Sequence, residues 1–531
     1  MDVVNNSSTK QQWPAGRSAI WIGICALISL YVIILAVELA LRVRFPWDLY
    51  FWPESPFLTN MMKLNQHLPV YTAPADGNSF VYSPGLEYLT YALLKPFGLQ
   101  LDIRFCRLIN VLLGVIGAGC AALAMSRLSR STTSMGKTRL FFFVSWGIVL
   151  LVLFKNFLAE IPHPDTIHTL HALLVFWLCL AALETKRFRL AIITMAVAGV
   201  GVLTKQTEAL CLLGPAVVFA IFNPWGWRRW TLLMAVGGAV FGISLYLLWL
   251  PQYGRFFTFY LPSHQGISLR KLYTLTFDLL SMHGGILLFL GVIAGFCLWS
   301  ARNESRRYLA CWISIGFFTV LPNLAAYLKA MGTWNNLCIF EVWLILIVWP
   351  FFCMLLDSLA LVEPKPEKMV EGWNRQVIPW SLCLLTIFLV LLLLPTKMPP
   401  QSGHYKYCQT IDEALRRDIQ ANRKVLVSHG SEFLIRAGVK EAPLDRANSI
   451  TELNTANLGA MAEMKLRIQQ HYYDRIYLLV GSWYGEKILE EIKQNYTLES
   501  VVASPPYKVR AAFGFQDLME DCRIFIPKRK D

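Results

Sequence analysis

Apolar residues in this chain are gathered into long runs that short polar segments separate. A run of about 20 apolar residues in helical conformation is long enough to cross the hydrocarbon region of a bilayer. The pattern therefore predicts an α-helical polytopic membrane protein with about eleven transmembrane helices. We place them at residues 19–41, 105–126, 139–157, 166–183, 190–204, 208–222, 231–250, 284–300, 309–327, 339–361 and 379–396.

Two further apolar segments lie between the first and second runs, in residues 42–104. "SPFLTNMMKL" and "SPGLEYLTYALLKPFG" have helical spacing and aromatic residues, but they are too short to span a bilayer. Such segments are typical of amphipathic helices that lie in the membrane interface, and Pro84 is well placed to start the second one. We therefore predict interfacial helices in the first outer loop.

The C-terminal part of the chain has a different pattern. "RKVLVSHG", "DRIYLLVGSWYG" and "CRIFIPK" read as short apolar strands, and the first two are followed by helical stretches. Alternation of strand and helix predicts a small α/β domain, and its loops match no phosphate-binding glycine motif. The predicted domains are a cytoplasmic tail, a transmembrane domain and an accessory domain outside the cytoplasm, at residues 1–18, 19–399 and 400–531.

Composition agrees with a membrane protein and removes one alternative. Hydrophobic residues make up 55% of the chain and charged residues 16%, whereas soluble domains carry about a quarter charged residues. The net charge of +14 raises the question of nucleic acid. However, Lys and Arg cluster in the short loops between the runs, as the positive-inside rule requires, so no nucleic-acid partner is predicted.

Orientation follows from the same basic residues. With Lys10 and Arg17 in the cytoplasm, an odd number of spans brings every basic loop to the cytoplasmic side and the C-terminus to the other side. The N-terminal segment lacks a small-residue cleavage site, so we expect the first span to be a retained anchor. Cys408 and Cys522 flank the exterior region and would be able to pair there.

Most of the costly polar residues fall at the predicted outer face. Ionisable groups at membrane depth usually face an interior cavity and mark function. Those singled out here are Asp48, Glu54, Tyr82, Asp165, Lys205, Gln206, Glu208, Lys329, Asn335, Asn336 and Glu341.

Each of these residues also has a simpler interpretation. Lys205 would be able to snorkel to the interface, and Asp165 to cap a helix. His168 and His171 are one helical turn apart, so that with Asp165 they form a possible but weak set of metal ligands. We assign no metal ligand and leave a divalent cation open.

Together the residue types suggest a chemistry. A carboxylate serves as a general base, and a lysine binds a lipid phosphate as a compact point charge. Asn and Gln amides bind hydroxyl groups. Sugar rings pack against aromatic side chains, which here include Trp47, Tyr50, Trp52, Tyr82 and Trp334. Transfer of a sugar from a lipid phosphate fits this set.

The order of the motifs resembles the GT-C superfamily of membrane glycosyltransferases. The motifs are "WPESPFLTNMMKL", "VYSPGLEYLTYALLKPFG", "RFCRLINVLLG", "HPDTIHTLHALL", "LTKQTEALCLLGP" and "LKAMGTWNNLCIFE". The chain is most similar to bacterial relatives of the dolichyl-phosphate-mannose protein mannosyltransferases and of the lipid A aminoarabinose transferases. The resemblance covers most of residues 19–400.

This resemblance implies roles for individual residues. Glu54 would be the catalytic base, Asp165 the second active-site carboxylate, and Lys205 the contact to the donor phosphate. Many relatives have Asp-Glu where this chain has Pro53-Glu54, so Asp48 is the alternative base. The remaining predicted substrate-binding residues are Gln206, Tyr82, Lys329, Asn335 and Asn336.

The predicted function is transfer of one monosaccharide from a polyprenyl-phosphate donor to a lipid, glycan or protein acceptor, with inversion at the anomeric carbon. We expect it in the inner membrane of a bacterium. Three alternatives stay open: a lipid-linked oligosaccharide polymerase or ligase, a transporter, and a binding protein whose exterior domain does the work. Few outer-loop arginines disfavour the first, and the lack of an internal repeat disfavours the second.

Overall fold

The computed structural model describes most of the chain and shows a helical protein with a small sheet near the C-terminus. It describes residues 15–49, 51–98, 101–129, 135–155, 161–281, 291–292, 303–329, 334–359, 400–444, 460–479, 486–505, 508–511, 514–517 and 520–528.

Eighteen helices lie in the described ranges. Their bounds are α1 Ala15–Arg44, α2 Phe51–Asn65, α3 Gly85–Leu94, α4 Ile103–Ser129, α5 Met135–Lys155, α6 Pro164–Thr185, α7 Phe188–Gly199, α8 Gly201–Thr204, α9 Leu213–Phe222, α10 Trp227–Trp249, α11 Leu261–His264, α12 Leu269–Ser281, α13 Asn303–Leu328, α14 Cys338–Leu359, α15 Ser402–Gln420, α16 Ser431–Arg436, α17 Ala460–Gln469 and α18 Glu486–Asn495. Short 3₁₀ turns cover Pro74–Asp76, Lys95–Phe97, Gln206–Leu210 and Trp334–Leu337, and a π-helical turn covers Phe256–Tyr260.

Nine of the predicted spans coincide with apolar helices. Five helices are long and apolar enough to cross a membrane: Ile22–Arg44, Ile103–Leu128, Pro164–Thr185, Trp227–Trp249 and Ser305–Leu328. Four shorter apolar helices occupy the other sites, Arg139–Phe154, Phe188–Thr204, Gln206–Phe222 and Cys338–Phe351. The spans predicted at 284–300 and 379–396 lie outside the described residues, apart from residues 291–292.

The two predicted interfacial helices are present as α2 and α3. Pro84 precedes the first residue of α3, as expected. Helix α2 is buried along almost its whole length from Glu54 to Lys63, because α16 from the C-terminal region packs on it. Its outer side therefore faces protein.

The C-terminal region contains a four-stranded sheet in the order β1-β2-β6-β3. The strands are β1 Val425–Val427, β2 Arg475–Leu478, β3 Tyr496–Val502 and β6 Cys522–Pro527, while β4 Lys508–Ala511 pairs with β5 Gly514–Asp517. Strands β1 and β2 are parallel, and β6 is antiparallel to β2 and β3. Cys408 and Cys522 share one apolar cluster but are free thiols, so the suggested disulfide is absent.

The sheet region is attached to the first outer loop by direct contacts. Ser431 Oγ lies 2.9 Å from both Ser55 Oγ and Thr59 Oγ1 on α2. Trp47 stacks on Phe433 with ring centroids 6.4 Å apart, inside an apolar cluster that contains residues from both parts. The C-terminal region thus covers the first loop.

Candidate functional site

A buried ion pair lies at the outer ends of the helices. Lys205 Nζ donates a hydrogen bond to Asp165 Oδ1, and two further hydrogen bonds run to Asn323 Oδ1 at 2.9 Å and Asn336 Oδ1 at 2.8 Å. The ammonium has three hydrogens, and these acceptors use all three. We call these four residues the outer-face cluster.

Asp165 is held at the start of α6. The N-cap is His163, and Pro164 occupies the first helical position, where its missing N–H costs nothing. Asp165 follows in the first turn, where the helix dipole favours a negative charge. The suggestion that Asp165 itself caps the helix is therefore wrong by two residues.

Lys205 stands where the helical chain is interrupted. Helix α8 ends at Thr204, Lys205 is extended at φ −160°, and a 3₁₀ turn follows. The lysine is 1% exposed, so its charge does not snorkel to the membrane surface. The break turns the side chain towards Asp165, which a continuous helix would not require.

The first outer loop holds this break in place. Gln206 Nε2 donates to Val81 O at 2.5 Å, and the Tyr82 ring lies 6.0 Å from Lys205 Nζ. Helix α3 begins at Gly85, and a Cβ there would stand only 2.3 Å from Leu203 O. Glycine thus permits the close approach of α3 to the backbone beside Lys205.

An open cleft of about 360 Å³ runs beside the cluster between α4, α5, α6 and α14. Asp165, Thr166 and Thr169 form its polar wall. The remaining lining residues are small or apolar: Leu113, Gly114, Gly117, Leu153, Leu170, Cys338 and Val342. Among the described lining residues Asp165 carries the single carboxylate. A polar group and an aliphatic group would both find partners here.

The donor set at Asp165 does not favour a divalent cation in this arrangement. The ammonium of Lys205 already takes Asp165 Oδ1, and His163 Nδ1 lies 2.7 Å from Oδ2. A metal ion beside an ammonium would have to overcome the repulsion between the two charges. We therefore derive no chemical step through a metal ion at this site.

Glu54 belongs to a second buried ion pair. Arg107 Nε donates to Glu54 Oε1 at 2.6 Å and Nη2 donates to Oε2 at 2.8 Å, while the Leu49 N–H donates to Oε2 at 2.5 Å. The remaining N–H groups of Arg107 reach the carbonyl oxygens of Arg42, Phe45 and Trp47. The structure does not bring Glu54 into contact with Asp165 or Lys205.

One helix connects the two ion pairs. Asn110 lies one turn after Arg107 on α4, and its Nδ2 donates to Thr166 Oγ1 at 3.0 Å and to Ile161 O. Thr166 follows Asp165 directly. The Glu54–Arg107 pair therefore helps to fix the helix against which the outer-face cluster is aligned.

Asp48 faces the C-terminal region. Its Oδ2 accepts from the backbone N–H of Glu432 at 3.4 Å. Burial raises the pKa of Glu432 well above its usual range, and the charges of Asp48 and Asp102 raise it further. Asp48 thus lies at the junction with α16 and not in the outer-face cluster.

The other predicted binding residues divide into two groups. Asn336, Gln206 and Tyr82 lie at or beside Lys205, as described above. Lys329 does not: its Nζ donates to Pro262 O at 2.8 Å and so anchors the loop before α12. The side chain of Asn335 lies outside the described residues.

The sequence interpretation missed three members of the arrangement. Asn323 follows Pro322 inside an apolar span, Arg107 is an arginine in the first turn of another, and His163 lies two residues before Asp165. A polar residue embedded in an apolar run was a usable signal in the first two cases. The capping role of His163 had no comparable signal.

The fold and the buried charges at one end of the helices define a membrane-embedded protein with a GT-C-type fold. Residues 91–250 match the family model of the dolichyl-phosphate-mannose-protein mannosyltransferases. The resemblance to GT-C glycosyltransferases that the motifs indicated is thereby confirmed. No curated protein is found that matches this sequence.

Solved structures give the same fold. The apo oligosaccharyltransferase of Archaeoglobus fulgidus is 13% identical and has a TM-score of 0.51, with 95% of this chain and 75% of that chain covered. ArnT from Cupriavidus metallidurans in the apo state is 19% identical, with a TM-score of 0.44 over 84% of this chain and 80% of its own. ArnT bound to undecaprenyl phosphate is 18% identical, with a TM-score of 0.41 over the same shares.

Proposed function

We propose that this protein is a membrane glycosyltransferase that moves one monosaccharide from a polyprenyl-phosphate donor to a lipid, glycan or protein acceptor. The observation that carries the proposal is the outer-face cluster beside the open cleft. The family model that matches residues 91–250 supports it, since that family is described by a polyprenyl-linked sugar donor.

Lys205 suits the donor phosphate. Its charge is already buried and oriented, so little reorganisation is needed when an anion arrives. Two of its three acceptors are neutral amide oxygens of Asn323 and Asn336. A phosphate oxygen would replace one of these amides and gain a charge-assisted hydrogen bond. The amides released in this way would then be available for sugar hydroxyl groups.

The cleft suits the aliphatic and polar parts of the reactants. Its apolar residues on α4 and α14 would pack against hydrocarbon, and its threonines and Asp165 would face polar groups. Asp165 is the carboxylate at the cleft and is therefore the base that this geometry favours. Glu54 and Asp48 remain the alternatives from the sequence, with Glu54 held by Arg107.

A single displacement on the anomeric carbon inverts its configuration. In this mechanism the base takes the proton of the acceptor hydroxyl, the acceptor oxygen bonds to the anomeric carbon, and the lipid phosphate leaves with the electron pair of the broken bond. NMR of the product linkage would show inversion relative to the donor. Retention would contradict the single displacement.

The location is part of the proposal. We infer an inner-membrane protein with its N-terminus in the cytoplasm and with the cleft and residues 400–531 on the opposite side, from the distribution of Lys and Arg. A reporter fused after residue 531 would have to be accessible from outside the cytoplasm. A cytoplasmic signal would reverse the orientation.

The deciding experiment tests transfer directly. Full-length protein in detergent is incubated with a panel of polyprenyl-phosphate sugars and acceptor lipids, and release of free lipid phosphate is measured. We expect release with at least one donor, and a loss of at least 100-fold in Asp165→Asn, as expected when a preorganised electrostatic or proton-transfer group is removed. Full turnover in Asp165→Asn and Glu54→Gln would overturn the site.

Glu184 provides a matched control. It lies on α6 like Asp165 but 19 residues later, about 28 Å away along the helix, and it pairs with Arg127. Glu184→Gln makes the same acid-to-amide type of change at the opposite end of the same helix. It should leave transfer within about twofold of the parent protein, since surface ion pairs contribute little.

A further inference from the structure

A second group of polar side chains is buried behind the outer-face cluster. It consists of His168 and His171 on α6, Glu208 in the 3₁₀ turn, and Cys211 just after that turn; we call it the histidine–glutamate cluster. All four side chains are at most 6% exposed. Ligand atoms of His171, Glu208 and Cys211 lie within 4.8 Å of one another.

Hydrogen bonds fix which imidazole nitrogens carry hydrogen when the rings are neutral. His171 Nε2 lies 2.7 Å from Val197 O and must donate to it, so Nδ1 presents a lone pair to Glu208 Oε1 at 3.1 Å. Asn323 uses its Oδ1 to accept from Lys205, so its Nδ2 donates to His168 Nε2 at 3.2 Å. His168 Nε2 is therefore also a lone-pair atom.

Both oxygens of one carboxylate thus face imidazole lone pairs. Glu208 Oε2 lies 2.7 Å from His168 Nε2 but has no hydrogen-bond partner among the described residues. Lone pairs this close repel unless positive charge lies between them. Either two protons or one cation must supply that charge, and the thiol of Cys211 adjoins the same space.

We propose that His171 Nδ1, His168 Nε2, the Glu208 carboxylate and Cys211 Sγ bind a divalent ion of the Zn²⁺ class. Imidazole, carboxylate and thiolate are the ligands this ion prefers, and two ligands at 2.0–2.1 Å in a tetrahedron are about 3.3 Å apart. The Val197 carbonyl is the outer partner that a metal-bound histidine normally has. Glutamate and thiolate together balance the charge of the ion.

The ion would have a structural role. Four protein ligands close the coordination sphere, as in structural zinc sites. The metal would tie the 3₁₀ turn after Lys205 to α6, which carries Asp165. Gly201 already packs against this cluster, since a Cβ there would lie 2.9 Å from both Glu208 Cγ and His171 Cε1. The site is distinct from Asp165 and does not depend on the proposed reaction.

Metal analysis tests the proposal on the full chain in detergent. Elemental analysis of protein washed with a chelator and then titrated with Zn²⁺ should show saturable binding of about one ion per chain. Cys211→Ser and His171→Gln should weaken that binding at least tenfold. Cys120→Ser replaces a buried cysteine on α4 and should bind as the parent does.

Co²⁺ gives a reading that does not depend on the variants folding. Bound to the washed parent protein, it should give the visible bands of a tetrahedral ion and a thiolate-to-cobalt charge-transfer band, which Cys211→Ser should lack. Absence of saturable uptake of either ion by the parent would show that protons hold the cluster. Equal binding in the parent and both ligand variants would place the ion elsewhere. Either result overturns the proposal.

Discussion

The two buried ion pairs at the outer ends of the helices look alike in sequence but differ in structure. Glu54–Arg107 is a closed pair: both carboxylate oxygens accept from one guanidinium, whose other N–H groups are taken by backbone carbonyls. Asp165–Lys205 is an open pair: one ammonium is shared with two amides, and the acid lines a cleft.

The difference shows how geometry separates structural charges from those suited to chemistry. A planar guanidinium with five fixed donors locks a loop around itself. An ammonium held by neutral amides can exchange a partner at small cost. Burial alone does not distinguish the two pairs, since both are almost completely buried.

The largest effect on stability should come from breaking the closed pair. Arg107→Met leaves the Glu54 carboxylate buried without a cation, which should cost about 3–5 kcal/mol of unfolding free energy. The double variant Glu54→Leu/Arg107→Met should recover much of that loss, because no charge stays buried. Thermal unfolding in detergent measures both. Equal stability of Arg107→Met and the parent would show that the pair is not closed.

Glu87 is a buried carboxylate for which the structure gives an amide partner. Asn60 Nδ2 donates to it at 3.0 Å, and burial raises its pKa to about 7. A raised folded-state pKa means that the native protein binds the proton more tightly than the unfolded chain does. Its contribution to stability is therefore full below pH 4.5 and is lost as the pH rises to 7, by about 3 kcal/mol.

Glu87→Gln should remove that dependence and keep the contact with Asn60. The measurement is the difference in unfolding temperature between the two proteins from pH 4.5 to 8. The advantage of Glu87→Gln should grow with pH up to about 7 and then stay constant. A difference that does not change with pH would show that Glu87 is not protonated in the native state.

The open pair should depend on the shape of its cation. Lys205→Arg keeps the charge, but a planar fork cannot direct three hydrogens from one nitrogen to Asp165, Asn323 and Asn336. We expect transfer to fall about 10–100-fold, with a smaller change in thermal stability than Arg107→Met produces. The lipid-phosphate release assay measures this. Unchanged transfer would argue against a precise role for the ammonium.

The smallest effect should come from the contact between the first loop and α16. Ser431→Ala removes hydroxyl contacts to Ser55 and Thr59 and should cost about 1 kcal/mol of stability. Transfer should remain within about twofold, because Ser431 lies outside the outer-face cluster. A large loss of transfer at unchanged stability would assign α16 to the active site.

Much of the fold could be predicted because apolar periodicity records burial directly. The nine matched helices and the strands around Leu426 and Tyr477 were visible as patterns. The pairing of Asp165 with Lys205 was also foreseeable, since two charges at the ends of neighbouring spans must share one small volume.

The partner of Glu54 was harder to foresee. Glu54 and Arg107 are 53 residues apart, and nothing local in the sequence pairs them. Nor does a pattern show that Ser55 and Thr59 meet Ser431, which is why α2 was expected at the membrane interface. Long-range polar contacts are set by how the elements pack, which periodicity does not encode.

The seating of α16 on α2 has a consequence for biosynthesis. Ser55 leaves the ribosome 376 residues before Ser431 does. At about 5–20 residues per second this interval is about 20–75 s. Throughout that time α2 has been translated but its cover has not. Its hydroxyl-bearing face is then hydrated by water on the far side of the bilayer, so the nascent first loop remains exposed there until translation nears its end.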